Sequence, residues 1–129
     1  MIRAFAPALL WLVAVVFLST MGGVSMPTFQ LFETDKLAHA AAYGLLSWLT
    51  LWGFVRWQGQ AGTLQGVLTV FVAALIGALL EYIQFRYFPD RVFEYDDMVA
   101  NTIGAIGGWW VFARLFSSQQ LEAWLGRWQ

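Results

Sequence analysis

At 129 residues the chain has the length of one domain, and 60% of it is hydrophobic against 12% charged, where a soluble domain has roughly 45–50% and about 25%. A soluble fold this small could not bury so much apolar surface, so the bilayer is the expected solvent. Seven Lys+Arg against eight Asp+Glu leave no basic footprint for nucleic acid, and the absence of cysteine excludes disulfides, thiolate metal sites and a Cys nucleophile.

Four apolar runs follow one another, at 4–21, 37–55, 63–85 and 98–116. Each approaches the roughly 20 residues that a helix needs to cross a membrane. The predicted fold is therefore all-α and polytopic, with four transmembrane helices. Pro7 falls near the start of the first run, where proline is tolerated. That run also resembles a signal peptide, with Arg3 before an apolar stretch. The stretch is long for such a segment and Ser19-Thr20-Met21 is a poor cleavage site, so it reads as a retained helix. The second run holds His39, the chain's one histidine. The third carries a single acid, Glu81, and the fourth has Asn101 near its beginning and Arg114 near its end.

The connections read as Gly22–Asp35, the polar turn Arg56–Gly62 and the charge-dense Arg86–Asp97. After Arg114, the residues Leu121, Trp124, Leu125 and Trp128 fall at i, i+3, i+4 and i+7. That spacing predicts a short amphipathic helix over 117–129 lying in the interface, where tryptophan concentrates. The other reading of these residues is a frayed tail. If both termini share a side, Arg3, Arg56, Arg114 and Arg127 lie there, against Lys36, Arg86 and Arg91 opposite. The side richer in Lys and Arg is the inner one, so both termini are expected in the cytoplasm.

Unusual polar residues gather at the start of the second span, the end of the third and the start of the fourth, which is one membrane face. Asp35, His39 and Tyr43 follow i, i+4, i+8, and Lys36 joins Tyr43 at i+7, so the four share one arc of a helix. Glu81 and Gln84 are i, i+3 neighbours, and Asp97, Asn101, Gly104 and Gly108 form a narrow stripe. Carboxylates inside a span are costly and face the bundle interior, which makes Glu81 a candidate. Arg86 or Lys36 could pair with it, in which case it is a buried buttress. His39 could accept a proton or rest as a neutral imidazole bonded to Tyr43, Glu81 or a carbonyl. A metal centre of His39, Glu81 and Asp97 matches no ligand-spacing signature, so neither metal nor cofactor is expected. Gly104-x-x-x-Gly108 and the stripe Ala73, Gly77, Glu81 would let two helices approach closely. These stripes are expected to face each other inside one subunit.

These residues resemble a known family. Asp35-Lys36-x-x-His39-x-x-x-Tyr43 opening a span is similar to the first signature of VanZ-like membrane proteins. Glu81-x-x-Gln84, Pro89-Asp90-Arg91 and Asp97-x-x-x-Asn101-x-x-Gly104-x-x-x-Gly108 resemble the second, with the family's spacing of arginine, acid and asparagine at Arg91, Asp97 and Asn101. The match covers Asp35 to Trp110 and departs at Asp90, where the family often has glycine. The resemblance implies a small polytopic protein of the bacterial inner membrane, related to the cell envelope, in a family whose founding member is associated with teicoplanin resistance.

Two classes of function follow. In the first, Asp35, Lys36, His39, Tyr43, Glu81, Gln84, Arg91, Asp97 and Asn101 bind a polar headgroup, a lipid-linked or glycopeptide ligand, or a partner protein. In the second, the chain is an enzyme on a lipid-linked precursor, with Glu81 or His39 as acid–base and Lys36, Arg86 or Arg91 on a phosphate. No known nucleophile motif supports the second. A transporter is the least suited to four short spans, although an oligomer would widen the conduit. Membrane lipids are the expected partners, and the sequence leaves the oligomeric state open.

Overall fold

The computed structural model describes residues 1–21, 31–89 and 91–116, with side chains from 35 onward in the second stretch. These residues form four α-helices and no strand: α1 Ile2–Thr20, α2 Leu31–Gln58, α3 Thr63–Tyr87 and α4 Tyr95–Leu115. The predicted interfacial helix over 117–129 and the turn residue Asp90 lie outside the described residues.

The helices overrun the apolar runs. α2 covers Leu31–Gln58 rather than 37–55, so Asp35 is helical and Arg56 belongs to the last turn rather than to a polar connection. α3 continues to Tyr87 and takes in Arg86, while α4 begins at Tyr95 and takes in Asp96 and Asp97. Hydropathy marks the apolar middle of a helix, whereas the hydrogen-bond ladder runs on until something stops it. At α2 the stop is Gly59, at φ +81°, whose N–H bonds the Val55 carbonyl. That left-handed conformation suits glycine at a helix end. At the start of α3, Gln65 Oε1 accepts the Gly62 N–H at 3.0 Å, satisfying a donor that the helix start leaves bare. Asp96 and Asp97 in the first turn of α4 and Arg114 in its last turn both match the helix dipole. Pro7 lies inside α1 rather than at its first position. The helix continues through it without the N–H that would bond the Arg3 carbonyl.

Among the described residues, two helices are long and apolar enough to cross a membrane by composition, α1 with mean hydropathy 2.1 and α3 with 2.2. The expectation of four such spans is corrected to that extent. α2 and α4 have the length, at 28 and 21 residues, but they carry polar groups along their inward faces and the low-hydropathy residues Trp and Gly. The surface is still apolar all round. Leu10, Val13, Phe17, Leu68, Phe71, Leu75, Val99 and Ile103 are exposed, while Ser47, Thr69, Glu81, Gln84, Asp97 and Asn101 are buried. A water-facing fold sorts these residues the other way.

α2 and α4 make the most extensive contact, α1 lies on α2, α3 lies on α4, and α1 barely touches α3. One core cluster gathers Val15, Tyr43, Leu46, Ala73, Leu80 and Ala105 from all four helices. Trp11 lies against this cluster and ties α1 to α2 through Nε1, which donates to the Ala42 carbonyl at 2.8 Å. The second cluster, Leu51, Val55 and Phe112, is walled by Trp48, Trp52, Trp109 and Phe116. It fills the opposite end of the bundle with stacked and edge-on rings, Trp48 on Trp52 at 5.8 Å and Phe112 on Phe116 at 4.9 Å. The aromatic end is therefore a packed plug, and the buried carboxylates, Glu81 and Asp97, lie at the other end.

Candidate functional site

The start of α2, the end of α3 and the start of α4 meet at one end of the bundle. The i, i+4 spacing carries Asp35 and His39 on one face of α2, and Asp97 and Asn101 on one face of α4. Between them His39 is held from both sides. Its Nδ1 lies 3.0 Å from Asn101 Oδ1. Its Nε2 lies 3.9 Å from Asp35 Oδ1 and 3.6 Å from Asp97 Oδ2. Asp97 is 5% exposed and Asn101 3%, whereas the Asp35 side chain is 58% exposed. The cluster thus runs from a wet rim at Asp35 to a dry floor at Asn101.

Lys36 turns along the outer flank, with Nζ 3.0 Å from Asp96 Oδ2. The pair sits at the mouth of an open groove of about 550 Å³, whose walls are Leu37 and Ala40 from α2 and Val99, Ala100 and Ile103 from α4. Tyr43 is buried in the core.

Glu81 has a different partner from those expected. Its Oε1 accepts the backbone N–H of Glu94 at 3.0 Å, and Glu94 is the residue that caps the start of α4. Arg86, a proposed counter-charge, lies 5.8 Å over the Tyr87 ring, and Lys36 is engaged with Asp96. The buried carboxylate therefore fastens the end of α3 to the beginning of α4 by a backbone bond. Gln84 crosses to α1, donating to the Ser19 carbonyl. Arg91 is exposed in the connection, where its backbone N–H bonds the Phe88 carbonyl at 3.1 Å. Its charge acts on Glu94. The Glu94 carboxyl is pushed above its ordinary range by a hydrogen bond with the Asp97 side chain, then by burial and by the charges of Asp97 and Asp35, with Arg91 opposing.

The glycine stripe is also placed differently. Gly104 and Gly108 face α2, not α3: a Cβ at Gly104 would fall on the Ala40 carbonyl and 2.5 Å from Ala40 Cα, and one at Gly108 on the Gly44 carbonyl. The α3 stripe instead receives Asn101, whose Nδ2 would lie 2.8 Å from a Cβ at Gly77. The two small-residue faces of the seam are thus Ala40-x-x-x-Gly44 and Gly104-x-x-x-Gly108. This seam fixes the separation of α2 and α4, and with it the fit of His39 between Asp97 and Asn101.

Sequence reading missed Asp96 and Glu94 as members of this end. Both lie in the charge-dense segment and take the cap and first-turn positions of α4, where acids are favoured. A helix start placed at Tyr95 rather than Met98 would have found them.

The VanZ/LLP1 family model matches residues 4–117, which takes in all four helices. No curated protein and no solved structure matches the chain.

Proposed function

The chain belongs to the VanZ/LLP1 family, and on that premise we propose that it is a multi-pass protein of the bacterial cytoplasmic membrane that binds a phosphate-bearing amphiphile of the cell envelope at the membrane face where α2 and α4 begin. The observation that carries this reading is the groove between them. Its apolar walls, Leu37, Ala40, Val99, Ala100 and Ile103, suit an acyl chain, and at its mouth, where a headgroup would lie, stands Lys36, which a phosphate would share with or take from Asp96. An ammonium at the interface is a point charge for phosphate, and the exposed apolar exterior of all four helices supports burial in lipid.

Native mass spectrometry of the purified full chain with phosphatidylglycerol titrated in tests this. One lipid should be held more tightly than phosphatidylcholine. A hydrogen bond to a charged group is worth about 1.5–3 kcal/mol, so Lys36→Ala should weaken retention about tenfold or more. Equal retention of both lipids, or by both proteins, rejects the reading. The founding member's association with glycopeptide resistance makes growth in teicoplanin the phenotype to score beside it.

In the orientation proposed, this face is extracytoplasmic and both termini are cytoplasmic. Reporter fusions within 22–30 and after Gln129 should then report opposite sides. The same side at both points removes a span.

A further inference from the structure

We propose that Asp35, His39 and Asp97 form a binding site for one divalent transition-metal ion of the zinc class. An amide oxygen can only accept a hydrogen bond, so Asn101 Oδ1, 3.0 Å from His39 Nδ1, places the ring hydrogen on Nδ1. Nε2 points at two carboxylate oxygens, Asp35 Oδ1 at 3.9 Å and Asp97 Oδ2 at 3.6 Å. In the neutral ring it then carries the lone pair that a metal takes, and in the protonated ring it carries a hydrogen aimed at the same carboxylates. The three ligand atoms lie within 4.8 Å of one another. With the ring neutral, its lone pair and two carboxylate oxygens converge on one volume that suits a cation, while Glu94 hydrogen-bonds Asp97.

The spacing suits a small ion. Ligands about 2.0–2.2 Å from a shared zinc are about 3.3 Å apart in a tetrahedron. The observed 3.6 and 3.9 Å close to that with a small ring rotation and a turn of the Asp35 side chain, which is 58% exposed. The parts of a metal site are divided sensibly among the helices. Asp35 and His39 are i, i+4 neighbours on α2, one face and two ligands. Asp97 comes from α4 and is 5% exposed, so it would otherwise hold a carboxylate against an imidazole in a dry place. Asn101 orients the ring from behind, as the outer partners of metal-bound histidines do. One imidazole with two carboxylates suits zinc or a neighbouring first-row ion better than magnesium or calcium, which take oxygen alone. Three protein ligands leave a fourth position open for water or an anionic group. The set His39, Glu81 and Asp97 matches no ligand-spacing signature, and in the fold the Glu81 carboxylate is bonded to the Glu94 amide while Asp35 takes its place beside His39.

The chain has one histidine and no cysteine, which makes the test direct. The tag-free full chain is stripped with EDTA in detergent, reloaded with Zn²⁺, gel-filtered and assayed for bound metal, with Co²⁺ absorbance as a second probe. Wild type should hold one ion per chain. His39→Ala and Asp35→Asn should each weaken binding at least tenfold, and Asn101→Leu by about 10–100-fold as an orienting partner. Asp35→Asn changes an exposed side chain, so it reports on the site even if Asn101→Leu fails to fold. Asp96→Asn, which changes the neighbouring acid outside the three ligands, should bind like wild type. Three results would overturn the proposal: no binding above the His39→Ala level, meaning a proton alone sits at Nε2; one ion retained by His39→Ala, meaning another site; or unchanged affinity in Asp35→Asn.

Discussion

Gly104→Ala and Gly108→Ala should each lower the thermal stability of the detergent-solubilised protein by about 1–3 kcal/mol or more, while Gly107→Ala should leave it unchanged or raised. The three sites lie on one helix and receive the same methyl group, so helix propensity cancels between them. What differs is what the methyl meets. At Gly104 it falls on the Ala40 carbonyl, at Gly108 on the Gly44 carbonyl, and at Gly107 nothing lies within 4 Å. The obstacle at the first two is backbone, which no rotamer change can clear, so α2 and α4 must separate. At Gly107 only the helix-forming advantage of alanine over glycine remains, about 0.5–1 kcal/mol. Melting followed by circular dichroism checks all three. If Gly104→Ala melts with wild type, the close approach at the seam is not what holds the pair together. Separation should also reach the polar end, because Ala40 follows His39 in the chain and Asn101 lies one turn before Gly104.

How far these features were legible depends on what each requires. The VanZ-like resemblance rested on ordered signatures from Asp35 to Gly108, and the family match extends over 4–117. Helix number was legible because each apolar run is long. Helix ends were not, because charged residues such as Asp35, Arg56 and Asp97 lower local hydropathy while the backbone ladder continues through them. The convergence of Asp35, His39, Asp97 and Asn101 was visible as two i, i+4 pairs on two helices. Which helix the Gly104–Gly108 stripe met was not. GxxxG states that something approaches closely and is silent on the partner, and the opposing half, Ala40-x-x-x-Gly44, is a weaker small-residue pattern because alanine is common on any helix. The partner of Glu81 was missed for a related reason. Side chains can be paired by charge from sequence, but a carboxylate bonded to a backbone N–H leaves no residue type to pair it with.

That backbone partner decides the outcome at Glu81. Were its carboxylate offsetting a buried cation, Glu81→Gln would strand the cation and cost several kcal/mol. The group it meets is the Glu94 N–H at the start of α4, and a glutamine carbonyl can accept that bond in nearly the same place. Glu81→Gln should therefore melt within about 1 kcal/mol of wild type, the difference being that of a charged against a neutral acceptor. Glu81→Leu has similar volume and no acceptor. It leaves the Glu94 amide without its acceptor at a helix start, a part-buried bond whose loss costs about 1–3 kcal/mol. It also unfastens the end of α3 from the beginning of α4, so the Glu94–Asp97 turn should lose order first and protease cleavage near 88–94 should rise. Thermal melts of the two variants, with limited proteolysis beside them, test the assignment. Gln melting as low as Leu would mean that the charge and not the acceptor matters, and would return Glu81 to the role of a counter-ion. Gln near wild type with Leu well below it fixes Glu81 as the tie between two helices.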